Sequence, residues 1–279
     1  MIMFARRIII PLLLTFLSLC EMQAQTRSQA EQIKDFYACY MKAIETCNQK
    51  EENKLLQDFL TPEMQEKKGR LVQVTGSDPL LRAQDVSEYG RQSLACRHLD
   101  GSWYEVSYRW DESDTVGIKI PVRIKTDAKG KTRICYVTPY WGGSSYGDSL
   151  LDIAEQTVDD GKDAETFVAT FFKTYAYNYV KMQPTLEQEL GLLRQTYCTA
   201  DMQGKYNALS QQYMDDASPV DPLIGCADFD AFWYSSLRVK PLGKNWFEVS
   251  YNADANGWSI HVKVMVSEQN GKYRISDLE

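Results

Sequence analysis

The stretch Trp103-Tyr104-Glu105-Val106-Ser107-Tyr108 returns, with one change, as Trp246-Phe247-Glu248-Val249-Ser250-Tyr251. A repeat constrains a fold more than composition does, because like sequences fold alike and the chain must then house two copies of one unit. The match extends in both directions and keeps its order. Asp78-Pro79-Leu80-Leu81 recurs as Asp221-Pro222-Leu223-Ile224, and Asp85 matches Asp228. Upstream, Leu60-Thr61-Pro62-Glu63-Met64-Gln65 parallels Cys198-Thr199-Ala200-Asp201-Met202-Gln203, and Phe36-Tyr37 with Tyr40 matches Phe171-Phe172 with Tyr175. Downstream, Gly130-Lys131-Thr132-Arg133-Ile134 matches Gly271-Lys272-Tyr273-Arg274-Ile275. The copies span residues 27–141 and 162–279. Residues 142–161 between them open with Gly142-Gly143-Ser144-Ser145, which reads as a flexible link.

Periodicity gives each copy the same plan. Ile33, Phe36, Tyr37, Tyr40 and Ile44 follow the three-and-four spacing of a helix with one buried face, as do Phe167, Val168, Phe171, Phe172 and Tyr175. A second helix is expected over about 54–65 and its counterpart over about 186–203. Asp78-Pro79 and Asp221-Pro222 read as an N-cap followed by proline at the first helical position. A short helix is expected over 149–158. Tyr104, Val106, Tyr108 and Trp110 alternate with Trp103, Glu105, Ser107 and Arg109, a two-residue period with two chemically different faces. Further strands are expected over 118–125 and 133–138, and over 258–266 and 272–278. Lys129-Gly130 and Asn270-Gly271 mark the hairpin turns. Helices followed by an antiparallel meander make an α+β class.

The aromatic first helix, the Asp-Pro-Leu element followed by Asp85 or Asp228, and the Trp-x-Glu-Val-Ser-Tyr strand resemble the nuclear-transport-factor-two-like (cystatin-like) superfamily. More narrowly, they resemble an uncharacterised domain family of exported bacterial proteins. The resemblance covers about residues 29–141 and 163–279. It implies two tandem domains, each with N-terminal helices packed in the hollow of a curved antiparallel sheet. It implies no particular activity, since that superfamily holds enzymes and pure binding modules alike.

Arg6 and Arg7 precede a largely apolar run from Ile8 to Cys20, shorter than the ~20 residues of a membrane-spanning helix. That reads as a signal peptide over residues 1–24, with cleavage expected after Ala24, so the protein is expected in the periplasm or outside the cell. Leu19 is too bulky for the position before a lipid-bearing cysteine. Losing two arginines and one glutamate moves the formal charge from −7 to about −8. An acidic chain repels phosphate backbones and anionic headgroups, and Lys67, Lys68 and Arg70 form too small a basic cluster to reverse this. Nucleic acid is therefore not an expected partner, and no transmembrane segment is expected after cleavage.

Of seven cysteines, Cys20 lies in the signal, leaving six in an oxidising compartment. Cys198 and Cys226 align with Leu60 and Ala83, so both differ together and only in the second copy. That covariation predicts a Cys198–Cys226 disulfide, contributing ~3 kcal/mol if unstrained. Cys39, Cys47, Cys96 and Cys135 leave three connectivities open.

Catalytic signatures are weak. His98, in an expected turn, and His261, on a strand, lie in different copies, and neither has partners at zinc-ligand spacing. Asn252 to Gly257 mimics a calcium loop but begins with asparagine and ends on Lys263 where a bidentate glutamate belongs. There is no nucleophile elbow, phosphate loop or dinucleotide fingerprint. Neither a metal nor another cofactor is expected. Glu105 and Glu248 share a face with Trp103 and Trp246; if that face lines the hollow, each glutamate is a candidate ligand-binding group or general base. Asp85 and Asp228 read as turn or cap residues, and with Trp103 and Trp246 they join the glutamates as candidate ligand-binding residues. No tyrosine–aspartate or histidine–aspartate pair is legible. The expectation is a non-catalytic binding module for a protein, peptide or glycan, an inhibitor or immunity-type protein being one version. The alternative is a small-molecule enzyme using a cavity glutamate as its base.

Overall fold

Two four-stranded antiparallel sheets follow one another along the chain, each preceded by its own helices. The computed structural model describes residues 28–215, 219–253 and 258–279. The signal-peptide reading, and most of the calcium-like loop, lie outside those residues. The first unit comprises α1 (Gln29–Glu45), α2 (Gln49–Phe59), α3 (Pro62–Thr75), α4 (Glu88–Gln92), β1 (Ala95–Asp100), β2 (Trp103–Tyr108), β3 (Ile118–Thr126) and β4 (Thr132–Val137). The second comprises α5 (Ala164–Lys181), α6 (Leu186–Tyr197), α7 (Ala200–Asp215), α8 (Ala231–Tyr234), β5 (Arg238–Gly243), β6 (Trp246–Asn252), β7 (Ser259–Gln269) and β8 (Lys272–Leu278). Strand order in both sheets is the order in the chain, a simple meander.

The aromatic helices form where the spacing predicts. Ser28 caps α1 in a reciprocal capping box with Glu31, and the Asp163 carboxylate caps α5 by accepting from the Thr166 N–H at 2.7 Å. The single second helix expected in each copy is instead two. Leu60 and Cys198 leave the helix for extended backbone and bridge in parallel to Ile134 and Ile275. The Thr61 and Thr199 amides then donate to the Ile134 and Ile275 carbonyls at 3.0 and 2.9 Å. Joining the sheet edge satisfies backbone groups that a continuous helix would have satisfied itself, and Thr61-Pro62 restarts the helix as N-cap and first residue.

Asp78 and Asp221 cap no helix. Each starts a tight loop in which its carboxylate accepts from the amide two residues on, Leu80 or Leu223, both at 2.8 Å. The loop closes through backbone with positive φ at Arg82 (54°) and Gly225 (63°). β1 and β5, edge strands with mostly exposed side chains, carry no alternation and were not expected. His98 accordingly lies on β1 rather than in a turn. The helix expected over 149–158 reduces to a single 3-10 turn at Asp148–Leu150.

Each unit encloses its own core. Phe36, Tyr37 and Tyr40 of α1 are at most 1% exposed and pack against Tyr104, Val106 and Tyr108 of β2. Phe171, Phe172 and Tyr175 of α5 do the same against Phe247, Val249 and Tyr251 of β6. Tyr108 and Tyr251 each donate to a carbonyl of the aspartate–proline loop, Leu81 at 2.6 Å and Ile224 at 2.8 Å. The repeat is thus reproduced down to single bonds. The space between helix and sheet is filled by rings.

The connecting segment is docked rather than free. Gly142 is buried, and a Cβ there would meet Thr138 Cγ2 at 2.6 Å and Phe232 Cζ at 2.8 Å. Asp148 accepts from Trp103 Nε1 at 2.8 Å and from Arg123 Nε at 2.7 Å, and Gln156 accepts through its carbonyl from Thr174 Oγ1 at 3.0 Å.

Candidate functional site

The two units meet through buried charge. Lys67 on α3 is 1% exposed, and its Nζ lies 2.5 Å from Asp228 Oδ2 and 3.1 Å from Asp230 Oδ2. Arg70, one turn further along α3, donates from Nε to Asp228 Oδ1 at 2.8 Å. Tyr136 of β4 donates to Asp230 at 3.2 Å, and Trp141 packs against Trp233 with ring centroids 4.8 Å apart and planes tilted by 32°. Burial pushes the Asp230 carboxyl up despite the Lys67 ammonium beside it. Burial alone would lower the Lys67 ammonium, but Asp228 and Asp230 together outweigh it and raise it. The charges therefore neutralise one another, which is the condition for burying them at all.

Beside this junction each hollow ends in a tyrosine–aspartate cluster. In the first unit Tyr40 donates to the Asp78 carboxylate, which also pairs with Lys68 at 3.0 Å. In the second, Tyr175 and Tyr179 both donate to Asp221 Oδ2, at 2.7 and 2.8 Å. The place of Lys68 is taken by Tyr206, whose ring lies 4.3 Å from the Arg194 guanidinium, and Arg194 donates to Tyr175 Oη at 2.5 Å. Burial, then the Asp221 charge, holds Tyr175 and Tyr179 far above the usual phenol range. They remain donors and are not poised to give up a proton near neutral pH. These pairs were invisible in the sequence; the signal that points to them is the helical tyrosine aligned in both copies with an aspartate that the repeat also keeps.

The second cluster opens onto a cleft of about 590 Å³ between α3 of the first unit and α7 of the second, lined by Arg70, Gln73, Tyr179, Tyr206, Glu187 and Asp221. With Glu66 also in the wall, it offers two rings, three carboxylates and a guanidinium. A second, polar cleft of about 520 Å³ lies between the outer face of the first sheet and the end of α5, with Arg123, Lys125, Tyr136 and Lys181 in its walls.

The glutamates singled out by the sequence do not face a hollow. β2 turns Tyr104, Val106 and Tyr108 into the core, so Trp103 and Glu105 lie on the opposite face. Glu105 is buried there and accepts from Arg97 Nε at 2.9 Å. Trp103 is covered by the connecting segment and by Tyr136, at a centroid distance of 5.9 Å. Trp246 and Glu248 occupy the equivalent face of the second sheet but are only half-buried, with Glu248 3.5 Å from His261 Nδ1. His98 Nε2 lies 2.9 Å from the Gly101 carbonyl and its ring packs against Tyr104. Asp85 is exposed and accepts from its neighbour's amide, that of Val86, at 2.7 Å, whereas Asp228 is the fully buried anchor of the junction. Cys198 and Cys226 are free, buried thiols in the second core and the expected bridge is not formed. Cys198 sits in the backbone bridge to Ile275, while Cys226 bridges back to Asp221. Among the described residues no His, Cys, Asp and Glu group of metal-binding size occurs, and no helix is long and apolar enough to cross a membrane.

No family model matches the chain. No curated protein matches it either. A crystal structure of a protein of unknown function from Bacteroides thetaiotaomicron VPI-5482 is 31% identical, with a TM-score of 0.37. The alignment covers 96% of that protein and 45% of this one, about the extent of one unit. An NTF2-like protein involved in plasmid conjugation is 13% identical with a TM-score of 0.18, over 90% of this chain and 96% of the other. The helix order and four-stranded meander, present twice, decide the class. The fold is α+β, built of two units that each pack helices on a four-stranded antiparallel meander. In both units the inward face of the sheet is covered by the protein's own aromatic helix.

Proposed function

We propose that this is an exported, non-catalytic binding protein, made of tandem NTF2-like modules of an exported bacterial domain family, that takes a protein, peptide or glycan at the cleft between its units. The observation that carries the reading is the filling of both hollows. Tyr37, Tyr40, Phe171 and Tyr175 are at most 1% exposed, and the aspartates at the hollow ends are engaged by tyrosine hydroxyls. A superfamily enzyme needs an enclosed cavity with a titrating group aimed into it; here Glu105 and Glu248 lie on the other side of their sheets. What stays concave is the junction, where Tyr179 and Tyr206 supply ring surface and Asp221, Glu187 and Arg70 supply polar anchors. Aromatic bodies with polar tips suit recognition of sugars and of peptide side chains.

Calorimetric titration of the protein with panels of peptides and glycans tests this. The expected result is saturable heat that Gln73→Trp, which fills the cleft from the exposed side of α3, reduces at least about tenfold. Continuing heat from turnover, or saturable binding indifferent to Gln73→Trp, overturns it.

A further inference from the structure

The repeat places one surface in two different states. On the first sheet, the outer face formed by Trp103, Arg123 and Tyr136 carries an occupant, the protein's own segment Tyr146-Gly147-Asp148. The Asp148 carboxylate takes the Trp103 indole N–H at 2.8 Å and the Arg123 guanidinium at 2.7 Å. The Tyr146 ring lies 6.5 Å from the Trp103 ring, and the preceding Ser145 carbonyl accepts from Thr138 Oγ1 at 2.8 Å. An aromatic ring two residues ahead of a carboxylate, in a chain laid across the strands, is what this surface holds.

On the second sheet the same register sets Trp246 opposite Met265 and Met265 opposite Asp277. No described segment crosses it. Trp246 is half-buried against 2% exposure for Trp103, and its indole N–H has no partner among the described residues. Two exposed lysines stand near it, and the nearest carboxylate across the strands, Asp277 opposite Met265, is engaged by Lys205 at 2.6 Å. Lys240 and Lys263 lie in register on either side of Glu248, both exposed, and Glu248 itself leans toward His261 at 3.5 Å.

We infer that the outer face of the second sheet docks an extended acidic segment of a partner protein, an aromatic ring standing two residues before a carboxylate. Trp246 offers the ring platform and the N–H. Met265, in the place of Arg123, supplies apolar contact, and Lys263, diagonal to Trp246 and within a long side chain's reach, supplies the charge. The sheet is preformed, so the partner bears the ordering cost. This surface is separate from the cleft at Tyr206, and the inference stands whether or not that cleft is the main site.

The test uses the full chain and, as probe, a synthetic peptide with the sequence of residues 143–152, read by calorimetry. Saturable binding is expected, weakened at least about tenfold by Trp246→Ala and several-fold by Trp246→Phe, which keeps a ring but removes the N–H. A peptide carrying Asp148→Asn should lose a similar factor, and Gln73→Trp in the protein should change nothing. Far-UV circular dichroism of each variant confirms folding. Absence of saturable binding, or binding unchanged by both Trp246 variants, overturns the inference. So does a sedimentation experiment in which the chain dimerises and Trp246→Ala abolishes the dimer, since a second copy would then own the face.

Discussion

Lys67 and Lys205 occupy the same position in the two copies, six residues past the threonine that begins the third helix, yet they live in different worlds. Lys67 is sealed between the units against two aspartates, while Lys205, with its side chain 41% exposed, holds Asp277 at 2.6 Å on the surface. Asp85 and Asp228 repeat the contrast from the acidic side. Tyr136, which reaches Asp230, corresponds to Asp277, and Arg70 corresponds to Ala208. The repeat therefore specifies the fold of each unit, and the departures from it specify how the units join. Because the second unit lacks the Arg70 and Tyr136 groups, it cannot offer a third unit the junction that the first offers the second.

The largest expected effect breaks that comparison directly. Lys67→Met leaves Asp228 and Asp230 buried without their ammonium and should cost about 3–5 kcal/mol, whereas Lys205→Met should cost at most about 1 kcal/mol. Urea unfolding of both variants measures the difference. Equal losses would mean the junction adds no more than a surface pair. Trp103→Ala against Trp246→Ala is the next pair. Emptying the covered site should cost about 3–5 kcal/mol, and the half-buried one clearly less, again by urea unfolding.

How much of this was legible follows from the range of the forces involved. The aromatic stripes of α1 and α5 and the alternation of β2 and β6 are local patterns, and the repeat doubled every signal, so the α+β units could be read directly. β1 and β5 are edges whose side chains mostly face solvent, and solvent imposes no alternation. The break at Leu60-Thr61 depends on Ile134, far away in the chain. The junction was illegible for the same reason, since Lys67 finds Asp228 across 161 positions and nothing local marks either as paired. Glu105 was legible as a strand residue beside Trp103, but strand periodicity gives two faces without saying which one the helix covers. The tandem of Cys198 and Cys226 shows the other hazard: two positions that change together were expected to be bonded, and both instead join one core as free thiols.

Gly142 and Gly161 bracket the connecting segment and sharpen the same lesson. Gly142→Ala would drive a methyl into Thr138 and Phe232 and should cost about 1–3 kcal/mol. Gly161→Ala meets nothing within 4 Å and should change stability by no more than about 0.5 kcal/mol. Thermal unfolding of the two variants measures the difference, and equal losses would mean that the close approach at Gly142 adds nothing to the docking.

The smallest expected effect concerns Asp148, which separates the two tryptophan faces by pH. The Arg123 guanidinium, then the Trp103 N–H, hold the Asp148 carboxyl below its ordinary value of 3.8. A carboxylate depressed in the folded state contributes stability that is present above the unfolded value and is lost as pH falls through the folded one. Attachment of the segment to Trp103 should therefore be constant from neutral pH down to about 4 and weaken below that. Tryptophan fluorescence of the native protein, followed on acidification, should show a step in that window, and Asp148→Asn should remove it. Trp246 has no carboxylate on its indole and should contribute no step. A step that survives in Asp148→Asn would place the acid-sensitive contact at the junction instead. There the sign differs: Asp230, raised by burial, gains protons as pH falls and contributes stability in acid that is lost as pH rises through its folded value.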